Sequence, residues 1–227
     1  MNQGELSYQD RQRAQYAKFK AWLDGEGGTE WPTQLKTMVS SRQVSRMQWL
    51  RKRAAGQVLE AGCNFGLVTA WVGGHAGLDA NPVNIELARL LAPGVNFVVG
   101  DIRHLPYPDK SFDTVMLPEV LEHIDWPGDV CLAIEEAKRV ARVRVLITVP
   151  DGSIFASATT KTDAESMKHR WLADDNEVLQ MMRWLGPRAQ VVRRDGFVLF
   201  AHDIHDRKKK NEKREKSEKN EKSKEQA

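Results

Sequence analysis

Only two cysteines, Cys63 and Cys131, occur in 227 residues. Two thiols so placed offer neither a disulfide framework nor the paired spacing of a zinc site, so no metal is expected and a reducing compartment fits. No apolar run approaches the roughly 18 residues that a membrane span needs. The first residues are polar and charged, so no secretory signal is expected and the cytoplasm is the expected location. An excess of one charge is also missing from most of the chain. The formal net charge is +3, but residues 207–227 hold ten Lys/Arg against five Asp/Glu, which leaves the tail at +5 and the remainder at −2. The body therefore lacks a nucleic-acid footprint. The tail repeats Lys, Glu, Asn and Ser and has nothing to bury, so it is expected to be disordered or transiently helical. A solubilising role or a weak RNA contact both suit it.

What the chain does have is Val58-Leu59-Glu60-Ala61-Gly62-Cys63-Asn64-Phe65-Gly66. It reads as a buried strand end, an acid and a tight turn, followed by a helix from Leu67. Glycines let the backbone turn sharply and let a ligand approach without a Cβ in the way. The dinucleotide fingerprint G-x-G-x-x-G is not met: Asn64 takes the middle glycine's place and Leu67 the third's. The acid at the strand end would repel a pyrophosphate and suit a cation. The same residues would also make an ordinary strand-to-helix turn.

Three further segments end in acids or follow the same pattern. His75-Ala76-Gly77-Leu78-Asp79 reads as a second strand, and Asp79 stands 19 residues past Glu60, where a βαβ unit places an acid on a ribose diol. Asn81 and Pro82 make an N-cap and first-turn pair for the next helix, so capping can be assigned to Asn81 and Asp79 left for a ligand. Val95 to Asp101 reads as a third strand, whose terminal carboxylate could accept from an exocyclic amine. Phe112 to Leu117 reads as a fourth, broken by Pro118, with Glu119-Val120-Leu121-Glu122-His123-Ile124 beyond it. Parallel strands ending at one edge place these groups where open α/β sheets bind ligands.

Upstream, Leu6–Leu23 and Thr33–Arg53 read as helices that could cap the crevice, with Tyr16, Trp22, Trp31, Gln43 and Arg46 as candidates to face it or simply to pack. Downstream, Arg139 to Val145 runs nearly straight into the strand Leu146–Pro150. The polar stretch 151–171 reads as a lid or substrate loop. A helix follows over about Asp174–Leu185. Asp195-Gly196 between two apolar runs signals a hairpin.

The ordered motifs Val58-Leu59-Glu60-Ala61-Gly62, Gly77-Leu78-Asp79, Gly100-Asp101, Leu105 to Asp113 and Val120-Leu121-Glu122-His123 resemble those of class I S-adenosylmethionine-dependent methyltransferases, above all the type 11 branch, which acts mostly on small molecules. The resemblance runs from about Gln57 to Pro150 and, with the hairpin, to about Asp203. It implies an α/β fold: a Rossmann-like, seven-stranded, mostly parallel sheet with a C-terminal antiparallel hairpin, helices on both faces and an N-terminal helical cap. Residues 1–54 would be the cap, 55–206 the methyltransferase domain and 207–227 the tail. The resemblance further implies S-adenosyl-L-methionine as cofactor. Glu60, Gly62 and Gly66, with Cys63 and Asn64 in the same turn, would hold its methionine part. Asp79, next to Ala80, would hold the ribose. Asp101 would hold the adenine amine, with Ile102 and Arg103 beside the base. Pro118 and Glu119 would lie near the sulfonium. The sequence departs from the family at Asn64, where glycine is usual, and in the shortened turn before the fifth strand.

Methyl transfer requires an aligned acceptor, and an acceptor hydroxyl requires a base near neutral pH. His123 and His169 are the candidates. Lys168, His169 and Arg170 could instead bind an anionic acceptor. The expected function is O-, N- or C-directed methyl transfer to a small molecule. The alternatives are an RNA or protein methyltransferase guided by the tail and a non-catalytic cofactor-binding scaffold. The sequence leaves the oligomeric state open.

Overall fold

The computed structural model describes residues 41–154 and 169–204. The expected helix Leu6–Leu23, the positions Tyr16, Trp22, Trp31 and Lys168, and the charged tail lie outside them.

Alternation in the strands sets the two faces of the sheet. On β1 (Val58–Ala61), β4 (Phe112–Pro118), β5 (Ala141–Pro150) and β7 (Phe197–Asp203), successive side chains point to opposite sides. Leu59, Ala61, Val115, Leu117, Val145, Ile147, Val149, Val198 and Phe200 form one core with α4 (Gly128–Val140) and α5 (Asp175–Leu185). Val58, Met116, Leu146, Phe197 and Leu199 pack on the other face against Trp49 and Leu50 of α1 (Ser41–Arg53) and Val68 and Val72 of α2 (Leu67–Val72). The remaining elements are β2 (Ala76–Asp79), α3 (Pro82–Leu91), β3 (Asn96–Val99), a 3₁₀ turn at Leu121–His123 and β6 (Ala189–Arg194).

The sheet order is β3-β2-β1-β4-β5-β7-β6. The first five strands run parallel, and β7 pairs antiparallel with both β5 and β6. This is the expected seven-stranded Rossmann-like sheet. Strand order reverses about β1, which opens a crevice between the β1 and β4 ends.

Several details differ from expectation. Pro118 does not break β4; it is the last residue paired with β5, opposite Thr148. Strand β5 begins at Ala141 rather than Leu146, directly after Val140 of α4, so the turn is not merely shortened but absent. The hairpin turn has Asp195 at φ 54° and Gly196 at φ 86°, the two positive angles that a tight two-residue hairpin favours.

Candidate functional site

The turn after β1 uses three positive φ values: Gly62 at 84°, Asn64 at 49° and Gly66 at 80°. Asn tolerates this region better than most residues, which explains how Asn64 stands in for a glycine. Gly62 is tied down twice over, because a Cβ there would lie 2.3 Å from Val120 Cγ2. The turn is anchored across the sheet, with the Gly62 and Cys63 amides donating to the Leu78 carbonyl at 2.7 and 2.9 Å.

Asn81 caps α3 as expected, its side chain accepting from the Val83 amide. That does not leave Asp79 unengaged. Its Oδ2 accepts from the Asn64 amide at 2.8 Å, and its Oδ1 from the Asn81 amide at 2.9 Å and Asn84 Nδ2 at 3.1 Å. These donors fix the carboxylate at the crevice wall. Asp101 is engaged too: Arg103 donates to both of its oxygens, at 2.5 Å from Nη2 to Oδ2, and reaches Asp129 with Nη1 at 2.5 Å. The guanidinium beside it holds the Asp101 carboxyl below the usual range. An adenine amine would share this carboxylate with Arg103.

Of the acids on the other side of the turn, Glu60 and Glu122 are buried and Glu119 is partly buried. Glu60 sits inside the sheet face, hydrogen-bonded by the Thr69 hydroxyl of α2. Burial pushes its carboxyl up to about 8, against the pull of Thr69 and Arg46. Glu119 has a left-handed backbone, φ 53°, an uncommon conformation that clusters at functional sites. It accepts from Thr148 Oγ1 at 2.9 Å and stands 3.8 Å from Arg46 Nη1. Burial raises its carboxyl above the ordinary value. Glu122 is 1 % exposed, and burial followed by repulsion from Glu119 raises its carboxyl further. Arg46, 5 % exposed and stacked 5.3 Å over the Phe197 ring, is the cation of this group.

The two candidate bases meet. His123 ends the 3₁₀ turn and His169 comes from 46 residues further on, with ring centroids 5.0 Å apart. The second segment is fastened to the first by the Arg170 amide donating to Glu122 O at 2.8 Å and by the Trp171 indole donating to Leu121 O and Ile124 O. An Arg170–Asp125 ion pair flanks this contact, so Arg170 has a partner other than an anionic acceptor. Burial, then the neighbouring His123, lowers His169 to about 4, so its ring is neutral at physiological pH.

Two adjoining cavities gather these groups. One, about 740 Å³, is lined by Asp79, Ala80, Asn84, Asp101, Ile102 and Arg103 among others; the second, about 540 Å³, by Arg46, Glu60, Cys63, Pro118, Glu122 and Phe197. Gly62, Asn64, Glu119, His123 and His169 line both. Ligand pockets are typically of this size. Gly66 lines neither but shapes the turn. Sequence reasoning missed Thr69, Asn84, Asp129 and Glu122 as site residues. The Glu119/Glu122 spacing and the Glu122-His123 pair were the available signal for the last.

Comparison with known proteins agrees with this geometry. Residues 59–148, from β1 to β5, match the family model described as a methyltransferase domain. The ubiquinone biosynthesis O-methyltransferase of Schizosaccharomyces pombe is 29 % identical over 160 residues, 64 % of this chain and 57 % of that protein. The malonyl-[acyl-carrier protein] O-methyltransferase of Erwinia pyrifoliae is 29 % identical over 129 residues, 55 % and 45 % of the two chains. The chain thus spans about half the length of these curated relatives. Among solved structures, the magnesium protoporphyrin IX methyltransferase of Synechocystis with bound SAH superposes with a TM-score of 0.56 at 17 % identity, over 82 % of this chain and 94 % of that one. An S-adenosylmethionine-dependent methyltransferase of Mesorhizobium loti gives 0.57 at 15 % identity, over 72 % and 98 %. No described helix is long and apolar enough to cross a membrane. With its strand order and its glycine turn, the chain matches a methyltransferase domain over residues 59–148 and has the fold of the S-adenosylmethionine-dependent methyltransferases among these solved structures.

Proposed function

We propose that the protein transfers a methyl group from S-adenosylmethionine to a small-molecule acceptor. The observation that carries this reading is the sharing of Gly62, Asn64, Glu119, His123 and His169 by two adjoining cavities. A donor in one and an acceptor in the other would meet at these residues.

The residues fit the cofactor. Asp79, fixed by three donors, presents carboxylate oxygens to a ribose diol. Ile102 supplies apolar surface and Asp101 with Arg103 a polar rim beside the base. Glu60, on the wall of the second cavity, suits the cofactor's ammonium, and the acidic side of that cavity suits its sulfonium. The cofactor supplies an activated methyl on sulfur. The chain's own task is alignment and exclusion of water. His169, neutral and half-buried, can take a proton from the acceptor, and His123 beside it can pass that proton toward solvent. The names of the relatives, both O-methyltransferases, favour a hydroxyl or carboxyl oxygen as acceptor. The RNA or protein alternative rests on the tail, outside the described residues, and no feature of the crevice favours it.

Calorimetric titration with S-adenosylmethionine tests the reading. Wild type should bind one equivalent. Asp79→Ala should bind about 100-fold more weakly, as expected for losing charge-assisted hydrogen bonds worth about 1.5–3 kcal/mol each. Absence of binding to well-folded wild type would refute it.

A further inference from the structure

The structure assigns Glu122, His123 and His169 as a divalent-cation site in the wall of the acceptor cavity. One potential ligand atom from each residue lies within 4.8 Å of the other two. Bonds of about 2.1 Å to a shared ion would place such atoms about 3–3.5 Å apart, a distance that small side-chain rotations reach. The groups are held for this arrangement. The Arg170 amide and Trp171 indole fasten the His169 segment to the carbonyls of Leu121, Glu122 and Ile124.

A second observation points to a ligand independently. Glu122 is 1 % exposed, and its Oε2 has no hydrogen-bond partner among the described residues. Buried polar groups are nearly always satisfied, and each exception calls for an explanation. Arg46 does not supply it, since its guanidinium bonds Thr148 and Gln43 and stands on Glu119. No ion pair among the described residues reaches Glu122. A cation between Glu122 and the histidines would satisfy that oxygen and neutralise the carboxylate.

Two imidazoles and one carboxylate select a borderline transition ion such as Mn²⁺, Fe²⁺, Co²⁺ or Zn²⁺ over Ca²⁺, which prefers oxygen alone. Three protein ligands leave coordination positions open toward the cavity. This use of the site rests on the methyl-transfer reading: an acceptor oxygen bound there would ionise more easily. With the ion bound, His123 and His169 serve as its ligands and not as the base: the O–H bond breaks with the proton passing to solvent water, the oxygen forms the new C–O bond, and the C–S bond breaks with its electrons staying on sulfur. The cysteine spacing, which carried the expectation of no metal, is silent on a site built from a carboxylate and two histidines.

The full chain, freed of metal by chelation, is titrated with Mn²⁺ alone and followed by loss of the free-ion electron paramagnetic resonance signal. S-Adenosylmethionine binding is measured separately without metal. Wild type and a His75→Ala control should each bind one equivalent, with affinity lowered at least tenfold in Glu122→Gln and in His169→Ala. Absence of Mn²⁺ binding, or equal binding by wild type and His169→Ala, overturns the site while leaving the methyl-transfer reading standing. Failure of the cofactor titration alone does the reverse. Should Glu122→Gln not fold, His169→Ala decides the matter.

Discussion

Two sets of carboxylates face the same crevice from opposite sides of the β1 turn. Asp79 and Asp101, at the ends of β2 and β3, are partly exposed and surrounded by donors: backbone amides and Asn84 for one, Arg103 for the other. Glu60 and Glu122 lie deep, Glu119 is partly buried beside them, and burial raises all three. Asp101 is lowered by the Arg103 guanidinium while burial raises the three glutamates, because a partnered carboxylate keeps its charge and a desolvated one gives it up. The first set is built to accept hydrogen bonds at fixed points. The second is built to receive positive charge.

The largest disruption of this contrast should come from Gly62, which separates the two sets. Gly62→Ala forces a side chain into a positive φ and places its Cβ 2.3 Å from Val120 Cγ2. We expect a loss of about 2–4 kcal/mol in chemical denaturation, with cofactor affinity falling in the same variant.

A more selective test addresses Glu60. Its folded carboxyl, raised to about 8 from 4.5, holds a proton that the unfolded chain has released. Folding is therefore least burdened below the unfolded value, loses stability as pH rises from about 4.5 to 8, and changes no further on this account above 8. Glu60→Gln should flatten that slope and stabilise the free protein at neutral pH by about 1–3 kcal/mol. Binding of a cationic ligand to wild type at pH 7 should release a proton, read as a dependence of calorimetric heat on buffer ionisation enthalpy. The variant should lose that release.

The smallest effect concerns how the exposed set is held. Asn81→Ala removes the cap of α3 but keeps the backbone amide that Asp79 accepts from. Stability should drop by about 1 kcal/mol in thermal unfolding, with cofactor affinity changed less than threefold. A larger change would mean that the side chains, rather than the backbone, position Asp79.

Much of the exposed set was legible in the sequence because its signals are local. An apolar run ending in an acid, a glycine turn, and Asn81-Pro82 at a helix start all act within a few residues, and the hairpin at Asp195-Gly196 is equally local. The buried set was not legible in that way. Its geometry depends on contacts between α1, β1, the 3₁₀ turn and the segment at His169, which no periodicity relates. Gln43 and Arg46 were among the candidates to face the crevice, and both line it, but nothing near Arg46 announced a carboxylate 73 residues away. His123 and His169 were each singled out, yet their meeting depends on Trp171 and Arg170 finding carbonyls on the 3₁₀ turn. Arg103 on Asp101 was close enough in sequence to be seen, and was read only as a neighbour of the base.

The direct passage from α4 into β5 leaves the chain no slack at Val140–Ala141. The buried stripe of α4, including Val130, Ile134 and Ala137, and the two-sided burial of β5 are phased against each other by residue count alone. One added residue would turn the helix stripe by about 100° or send every side chain of β5 to the opposite face. The geometry of Thr148 beneath Glu119, and so of the cavity floor, is thereby set by the length of a stretch 8 residues upstream as much as by the identity of any residue in it.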